Sequence, residues 1–386
     1  MDGTNILDYL RWRGDLSFTQ SPFNDIDSLI LSQIVYIPFE GIVPSMRSTK
    51  TIFLKDAVDK FFSIYDEDKS SLGALLPKEI FELFRLAGES VRFGNIKLCR
   101  YVNKINQITE IQFCAMTIFI DEIREIFVDF RGTDDTLVGW KEDFNMGFMT
   151  PVPSQTESVR YFNYIVNRCV INNKSNEAGA EDYYKIRLGG HSKGGNLAAF
   201  AATYVKNTEN VNVQELIECV YNFDGPGFDA KVIKSEEYAN ICGKIKTIIP
   251  QSSVVGMLLG HEEGYTVVKS RQLGLLQHDV LSWEVIGTQF TYLEDVTDTS
   301  LLLDKTLKTW LSDMDAICAE RFVTALFEIL SATDAKTLTE LVTGRNKSVS
   351  AIMKAYAGED EETKKMLKSA VRSMINIWKR NTKKRG

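Results

Sequence analysis

The sequence predicts an α/β fold: a mostly parallel central sheet flanked by helices, with N-terminal helices and a helical C-terminal extension. Three observations predict it. Short β-branched and aromatic runs alternate with helical stretches through the middle of the chain, the order that builds parallel pairs. A Gly-x-Ser-x-Gly turn stands between a predicted strand and a predicted helix. Beyond about Asp298 the texture is wholly helical.

The elements follow in order. Asp25 to Tyr36 carries Ile26, Leu29, Ile30 and Ile34 on one helical stripe. Ala57 to Tyr65 and Pro77 to Gly88 read the same way, so the part up to about residue 95 is helical. The pattern changes near Lys97. Ile111 to Ile120 and Glu125 to Phe130 are strands, parted by the acidic break Asp121–Glu122 as in a hairpin. Helices are expected over Val138–Met146 and Glu157–Val170. A strand follows over Tyr183–Leu188, then an alanine-rich helix over Asn196–Lys206. Cys219–Phe223, Ile245–Ile249 and Tyr265–Val268 complete the strands. This places an α/β domain over 1–298, its N-terminal helical part about 1–95, and the helical extension over 299–386.

Composition narrows the class. The chain has 386 residues, 44% hydrophobic and 25% charged, enough to bury a core without metal or disulfide staples. Its formal charge of −7 argues against a partner as anionic as nucleic acid. The six cysteines show no CxxC spacing, so buried free thiols are expected and no metal or cofactor is implied. The N-terminus lacks an apolar signal run, and no stretch of about 18 apolar residues occurs. The expected location is therefore cytoplasmic.

The informative stretch is Leu188-Gly189-Gly190-His191-Ser192-Lys193-Gly194-Gly195-Asn196. In a nucleophile elbow, the serine sits on a strained strand-to-helix turn that lifts its hydroxyl above the sheet. Gly190 and Gly194 remove the Cβ atoms that would clash there. Unassisted serine is a weak nucleophile and needs a base within hydrogen-bond reach. Only His191, His261 and His278 are present. His191 adjoins the serine and points elsewhere on so sharp a turn, which suits a packed core role. His278, in a loop after the last predicted strand, suits the base; His261, in a polar, solvent-facing turn, is the alternative. Asp224, at the end of the Cys219–Phe223 strand, is the candidate acid, with Glu262 and Asp279 as fallbacks. The oxyanion donors expected are the backbone N–H of Lys193 and that of Thr133, whose hydroxyl offers a second proton. Arg131 is expected in a structural ion pair.

Phe130-Arg131-Gly132-Thr133 with Trp140 and Asp143, together with the serine elbow, resembles the fungal-type (class three) triacylglycerol lipases. More closely, Tyr9-Leu10-Arg11-Trp12-Arg13-Gly14-Asp15, Pro22-Phe23-Asn24 and Gln277-His278-Asp279 with Trp283 resemble a bacterial lipase-like family over roughly residues 1–295. The resemblance implies an α/β-hydrolase fold with Ser192 as nucleophile, His278 as base and Thr133 and Lys193 as oxyanion donors. Two departures stand out. The lipases usually carry their acid after the strand that here ends in Gln251-Ser252-Ser253. They also commonly have an apolar residue where this chain has Lys193, which points either to an anionic substrate group or to a neighbouring carboxylate.

The expected function is a serine ester hydrolase acting on a small-molecule or lipid ester through an acyl-enzyme. The alternative is a non-catalytic interaction protein on the same scaffold. The basic end Trp378–Gly386 follows a helix with Met366, Leu367, Ala370, Met374 and Ile377 on one face, a pattern that allows peripheral membrane contact.

Overall fold

The computed structural model describes residues 3–65, 77–134, 136–171, 184–207, 211–333, 335–337, 340 and 345–383. Two short helices open the chain, α1 (Ile6–Arg13) and α2 (Asp25–Ile34). Each starts at an asparagine whose side chain accepts from the first-turn N–H groups, while an aspartate three residues on bonds back. Helices α3 (Leu54–Ile64) and α4 (Glu79–Glu89) follow. Arg92 locks this region together. Fully buried, it pairs with Asp27 at 2.5 Å and donates to the carbonyls of Leu16, Ser17, Ser21 and Pro22.

The sheet runs β1 (Ile52–Phe53), β2 (Lys97–Asn106), β3 (Ile111–Ile120), β4 (Glu125–Phe130), β5 (Lys185–His191), β6 (Ile217–Phe223), β7 (Ile245–Pro250) and β8 (Thr266–Val268), edged by Tyr292–Leu293. It is mixed. The pairs from β4 to β8 are parallel, whereas β1 to β4 and the far edge pair antiparallel. The antiparallel wing follows from the connections, because the segments joining β2, β3 and β4 are too short for a crossover. Strand β2, with Lys and Asn in its outer half, has no apolar alternation for sequence reading to find.

Helices cover both faces. On one face α1–α4 bury Leu29, Ile30, Phe61 and Phe84 against Phe127, Tyr221, Phe223 and Trp283. On the other, α6 (Pro153–Ile165) and α7 (Lys193–Thr203) pack Tyr161, Phe162, Leu197 and Ala201 against Ile126, Val128, Leu188 and Val220. Strand β5 extends three residues past Leu188, and α7 starts three residues before Asn196, so they meet at Ser192. Tyr183, the expected strand start, lies outside the described residues. The cysteines are free, but only Cys99, Cys114 and Cys169 are buried.

Beyond Asp298 come the helices Asp298–Ser312, Ala316–Ser331, Arg345–Gly358 and Glu361–Lys383. They share a core in which Trp310, Phe322, Leu367, Ala370 and Ile377 are buried and Met366 and Met374 partly so. The apolar face of the last helix is therefore turned inward, against the helical core. Lys384, Arg385 and Gly386 lie outside the described residues. This helical layer meets the sheet's working end at several places. Leu137 of α5 (Leu137–Asn145) donates to the Lys336 carbonyl, and Ser300 Oγ donates to the Ser253 carbonyl. Among the described residues, no helix is long and apolar enough to cross a membrane.

Candidate active site

The site is assembled at the carboxyl ends of the parallel strands, where α/β sheets open a crevice. Ser192 joins β5 to α7 with φ 58° and ψ −135°, a conformation uncommon for a residue with a side chain. Its N–H donates to Phe223 O at 2.8 Å, so the turn is pinned to β6. The glycines explain how so tight a bend is possible. A Cβ on Gly194 would stand 2.1 Å from Phe130 O, and one on Gly190 would stand 2.3 Å from the Gly194 carbonyl carbon. A Cβ on Gly132 would lie 3.0 Å from Ser192 Cβ, so the loop after β4 lies directly beside the serine.

Lys193 occupies the first position of α7, where a backbone N–H has no intrahelical acceptor. Its side chain is buried and turned away. Nζ donates to the Gln112 carbonyl at 3.1 Å and Oε1 at 2.5 Å, and pairs with Glu142 at 3.1 Å, with Asp143 at 3.6 Å. This decides the question left by the sequence: the cation answers neighbouring carboxylates and does not face the mouth of the site. Burial alone would lower the Lys193 pKa, but Glu142 and Asp143 outweigh it and hold the ammonium above its ordinary range. Glu142 also accepts from Gln112 N at 3.1 Å and Ser154 N at 2.7 Å, tying β3 and the start of α6 to the elbow. Sequence reasoning missed Glu142 and Gln112; a lysine following the elbow serine was the only signal for them.

Thr133 stands in the loop after β4. Its hydroxyl donates to Asp143, so that proton is directed to the carboxylate and the backbone N–H is the donor left to offer. This corrects the expectation of two donors from Thr133. Burial raises the Asp143 pKa to about 6, against the lowering pull of Lys193 and Thr133. Arg131 is in the expected ion pair, 3.2 Å from Asp134, and also donates to Asn103 at 3.0 Å.

Asp224 lies at the end of β6 with φ 47° and is buried. Its Oδ1 accepts from Ser253 Oγ and from Gly256 N, the latter at 3.1 Å. Its Oδ2 is 2.7 Å from His278 Nδ1. His278 ends a turn spanning Gly274–His278, held by its neighbour Gln277: Gln277 Oε1 accepts from Ser252 N and its carbonyl from the Trp283 indole, both at 2.8 Å. The His278 ring is 23% exposed, so it is open to a substrate. Among the described residues, no hydrogen bond joins Ser192 Oγ to that ring. The link between them runs through His191, the residue before the serine. His191 Nε2 is 2.9 Å from the His278 carbonyl oxygen, and the two imidazoles stand 4.5 Å apart.

His191 is a packed residue, as its place beside the serine implies. Its Nδ1 faces Tyr36 Oη at 3.4 Å, and burial, with the neighbouring His278, holds its pKa well below the usual histidine value. His261 is elsewhere and is not solvent-facing. Glu263 folds back onto it at 2.9 Å, leaving the ring only 6% exposed. Of the fallback acids, Asp279 bonds Leu281 N at 3.0 Å in a local turn, and Glu262 is exposed.

A strained serine between strand and helix, and a histidine–carboxylate pair packed against the residue before it, on a helix-flanked mixed sheet, are the arrangement of an α/β-hydrolase scaffold. The family model described as Mbeg1-like matches residues 87–328, and the chain belongs to the Mbeg1-like family. The matched span begins within α4 and reaches into the helix Ala316–Ser331. Among curated proteins, none matches. Solved structures similar to the chain are fungal lipases. One is a fungal lipase–inhibitor complex at 14% identity and TM-score 0.33, covering 45% of this chain and 65% of that one. Another is a Rhizomucor miehei lipase–propeptide complex at 18% identity and TM-score 0.31, covering 46% and 57%. A third is Lip2 lipase from Yarrowia lipolytica at 14% identity and TM-score 0.31, covering 60% and 86%. The chain thus spans less than two thirds of the first two.

Proposed function

We propose that the protein is a serine carboxylic-ester hydrolase acting through an acyl-enzyme on a small-molecule or lipid ester. The observation that carries this reading is the 2.7 Å bond between His278 Nδ1 and Asp224 Oδ2, with His278 packed against His191, the residue that precedes the strained Ser192. In this reading Asp224 fixes the imidazole with Nε2 free to accept. His278 takes the Ser192 proton as Oγ attacks the ester carbonyl. The N–H groups of Lys193 and Thr133 bind the oxyanion, each worth about 2.7–4 kcal/mol of transition-state stabilisation. His278 then protonates the departing alcohol, and water, deprotonated by the same ring, releases the acid. The serine–base bond, open in the free protein, closes with substrate, as such bonds commonly do.

The test is burst hydrolysis of nitrophenyl esters of graded chain length. Pure protein should show an acyl-enzyme burst that Ser192→Ala abolishes, and an unchanged rate in that variant refutes the proposal. The rival reading, an interaction protein without chemistry, is separated by fluorophosphonate labelling. Stoichiometric modification of Ser192 supports the hydrolase; none under conditions where the protein is folded supports the rival.

A further inference from the structure

The base sits on a turn that buries little of itself. Leu273 and Leu276, in the segment that ends at His278, are exposed by 82% and 66%, so apolar packing does little to fix it. Asp224 holds the His278 ring at Nδ1 alone. A ring held at one atom can still swing about that bond, and the direction of Nε2 then depends on how the backbone is held. That hold comes from His191. Its Nε2 lies 2.9 Å from the His278 carbonyl oxygen, and the two imidazoles pack 4.5 Å apart at 37°.

The protons on this contact follow from its partners. A carbonyl only accepts, so His191 Nε2 carries the hydrogen. Burial, with the neighbouring His278, keeps the His191 ring neutral, which leaves Nδ1 bare. Facing Nδ1 at 3.4 Å is the hydroxyl of Tyr36, just beyond α2, buried and also 3.4 Å from the His191 carbonyl oxygen. The same hydroxyl abuts the loop after β4: a Cβ on Gly132 would stand 2.3 Å from Tyr36 Oη. Gly132 precedes Thr133. One hydroxyl is thus wedged between the oxyanion loop and the residue that both precedes the serine and holds the base. A core residue needs only to fill this space, whereas these polar atoms are matched donor to acceptor.

We propose that His191 and Tyr36 are positioning residues for the ester hydrolysis. His191 ties the backbone of the base to the segment that bears the nucleophile, and Tyr36 keeps His191 and the oxyanion loop in register. This rests on the hydrolase reading above. When the Ser192–His278 bond closes with substrate, the ring moves against a fixed backbone.

The test has two arms, both on the full chain. In the first, the histidine rings are labelled with ¹⁵N and read by NMR; the chain has only three, assigned through His261→Gln and His278→Gln. His191 should be the neutral Nε2–H tautomer and should not titrate across about pH 5 to 8, where a free histidine does. A hydrogen on Nδ1, or a titration in that range, overturns the proposal. In the second arm, His191→Leu should lower the burst and steady-state rates of nitrophenyl ester hydrolysis together by ~100-fold, with little change in KM, because the ring serves both steps and a displacement of about 1 Å costs that much. His191→Gln, whose amide nitrogen reaches the same carbonyl, should regain about tenfold of that loss. Tyr36→Phe keeps the ring and removes only the hydroxyl, and should slow both steps by ~3–10-fold. Thermal unfolding checks that each variant is folded.

A folded His191→Leu protein within about threefold of the wild-type rate overturns the proposal, as does His191→Gln no faster than His191→Leu at equal stability; in both cases the hydrolase reading stands. Unchanged rates in Tyr36→Phe overturn the role given to that hydroxyl. A wild-type protein that neither hydrolyses the esters nor takes a fluorophosphonate at Ser192 brings down the hydrolase reading and this proposal with it.

Discussion

Replacing Asp224 by Asn puts the histidine–carboxylate pair to its sharpest test, because the surroundings dictate how the new amide must sit. Asp224 Oδ1 accepts from both Ser253 Oγ and Gly256 N. In the variant that position must be taken by the amide oxygen, since an NH₂ there would face two donors. The NH₂ group then points at His278 Nδ1, which in the wild type faces Oδ2 at 2.7 Å. To accept from the amide, Nδ1 must give up its proton, and the neutral ring carries it on Nε2, where it can no longer take the proton of Ser192. The shape is preserved and the tautomer inverted, a change that lowers kcat by ~10⁴ in triads of this kind. The assay is steady-state hydrolysis of the best nitrophenyl ester, with thermal unfolding as a check of folding. A folded Asp224→Asn protein keeping kcat within tenfold of wild type refutes this reasoning. Adding Ser253→Ala should relieve part of the loss, because one of the two donors that fix the amide orientation is removed.

Three other perturbations probe the framework around the serine. Lys193→Met leaves the buried Glu142 without its ionic partner and should cost ~3–5 kcal/mol of stability by urea unfolding; Glu142→Gln, which leaves Lys193 with Asp143 at 3.6 Å, should cost less, and the double variant should cost less than the sum of the two; strict additivity would show that the pair is not coupled. Gly194→Ala places a methyl 2.1 Å from Phe130 O and should destabilise by about 3 kcal/mol, while Gly243→Ala, whose Cβ meets nothing within 4 Å, should be nearly neutral; similar melting points for the two would contradict the close packing of the elbow. For Asp143, burial raises the carboxyl from 3.8 to about 6 in the folded protein, so the folded state holds a proton that the unfolded chain has released. Stability relative to Asp143→Asn should therefore fall as pH rises from about 4 to about 6 and then level off. A difference that stays flat across that window would show that Asp143 titrates normally.

What the sequence reveals depends on how local the cause is. The elbow is legible because its reason lies within five residues: glycines on either side of a serine, with a short strand before and small residues after. Strands β3 and β4 are legible because apolar residues fill both of their faces. Strand β2 is not, since its outer half is polar and half-exposed and is held by pairing with β3 across a bulge between Cys99 and Val102. The direction of the Lys193 side chain depends on Gln112 and Glu142, which are distant in the chain and joined only by folding. His261 misled for a related reason. Its flanking charges suggest solvent, yet Glu263 also takes hydrogen bonds from Thr247 Oγ1 and Tyr238 Oη, which bury the ring with it. Charge density reports exposure only when the charges do not answer one another.

The departure from the usual acid position has a geometric resolution. The strand end that commonly supplies the carboxylate, β7, still serves the histidine, but through a hydroxyl: Ser253 bonds Asp224 Oδ1 from the far side while Oδ2 meets His278. Moving the carboxylate one strand inward, to β6, brings it nearer the serine turn, whose N–H is held by Phe223, the residue just before Asp224. Asp224 and the Ser192 turn thus share a backbone connection. The same Ser253 accepts at its carbonyl from Ser300, at the start of the helical layer. Ser253 thus joins that layer to the carboxylate. Ser300→Ala should leave the fold intact and loosen the Asp224 side chain, lowering kcat by several-fold with little change in KM. An effect confined to stability would show that the helical layer supports the sheet without touching the chemistry.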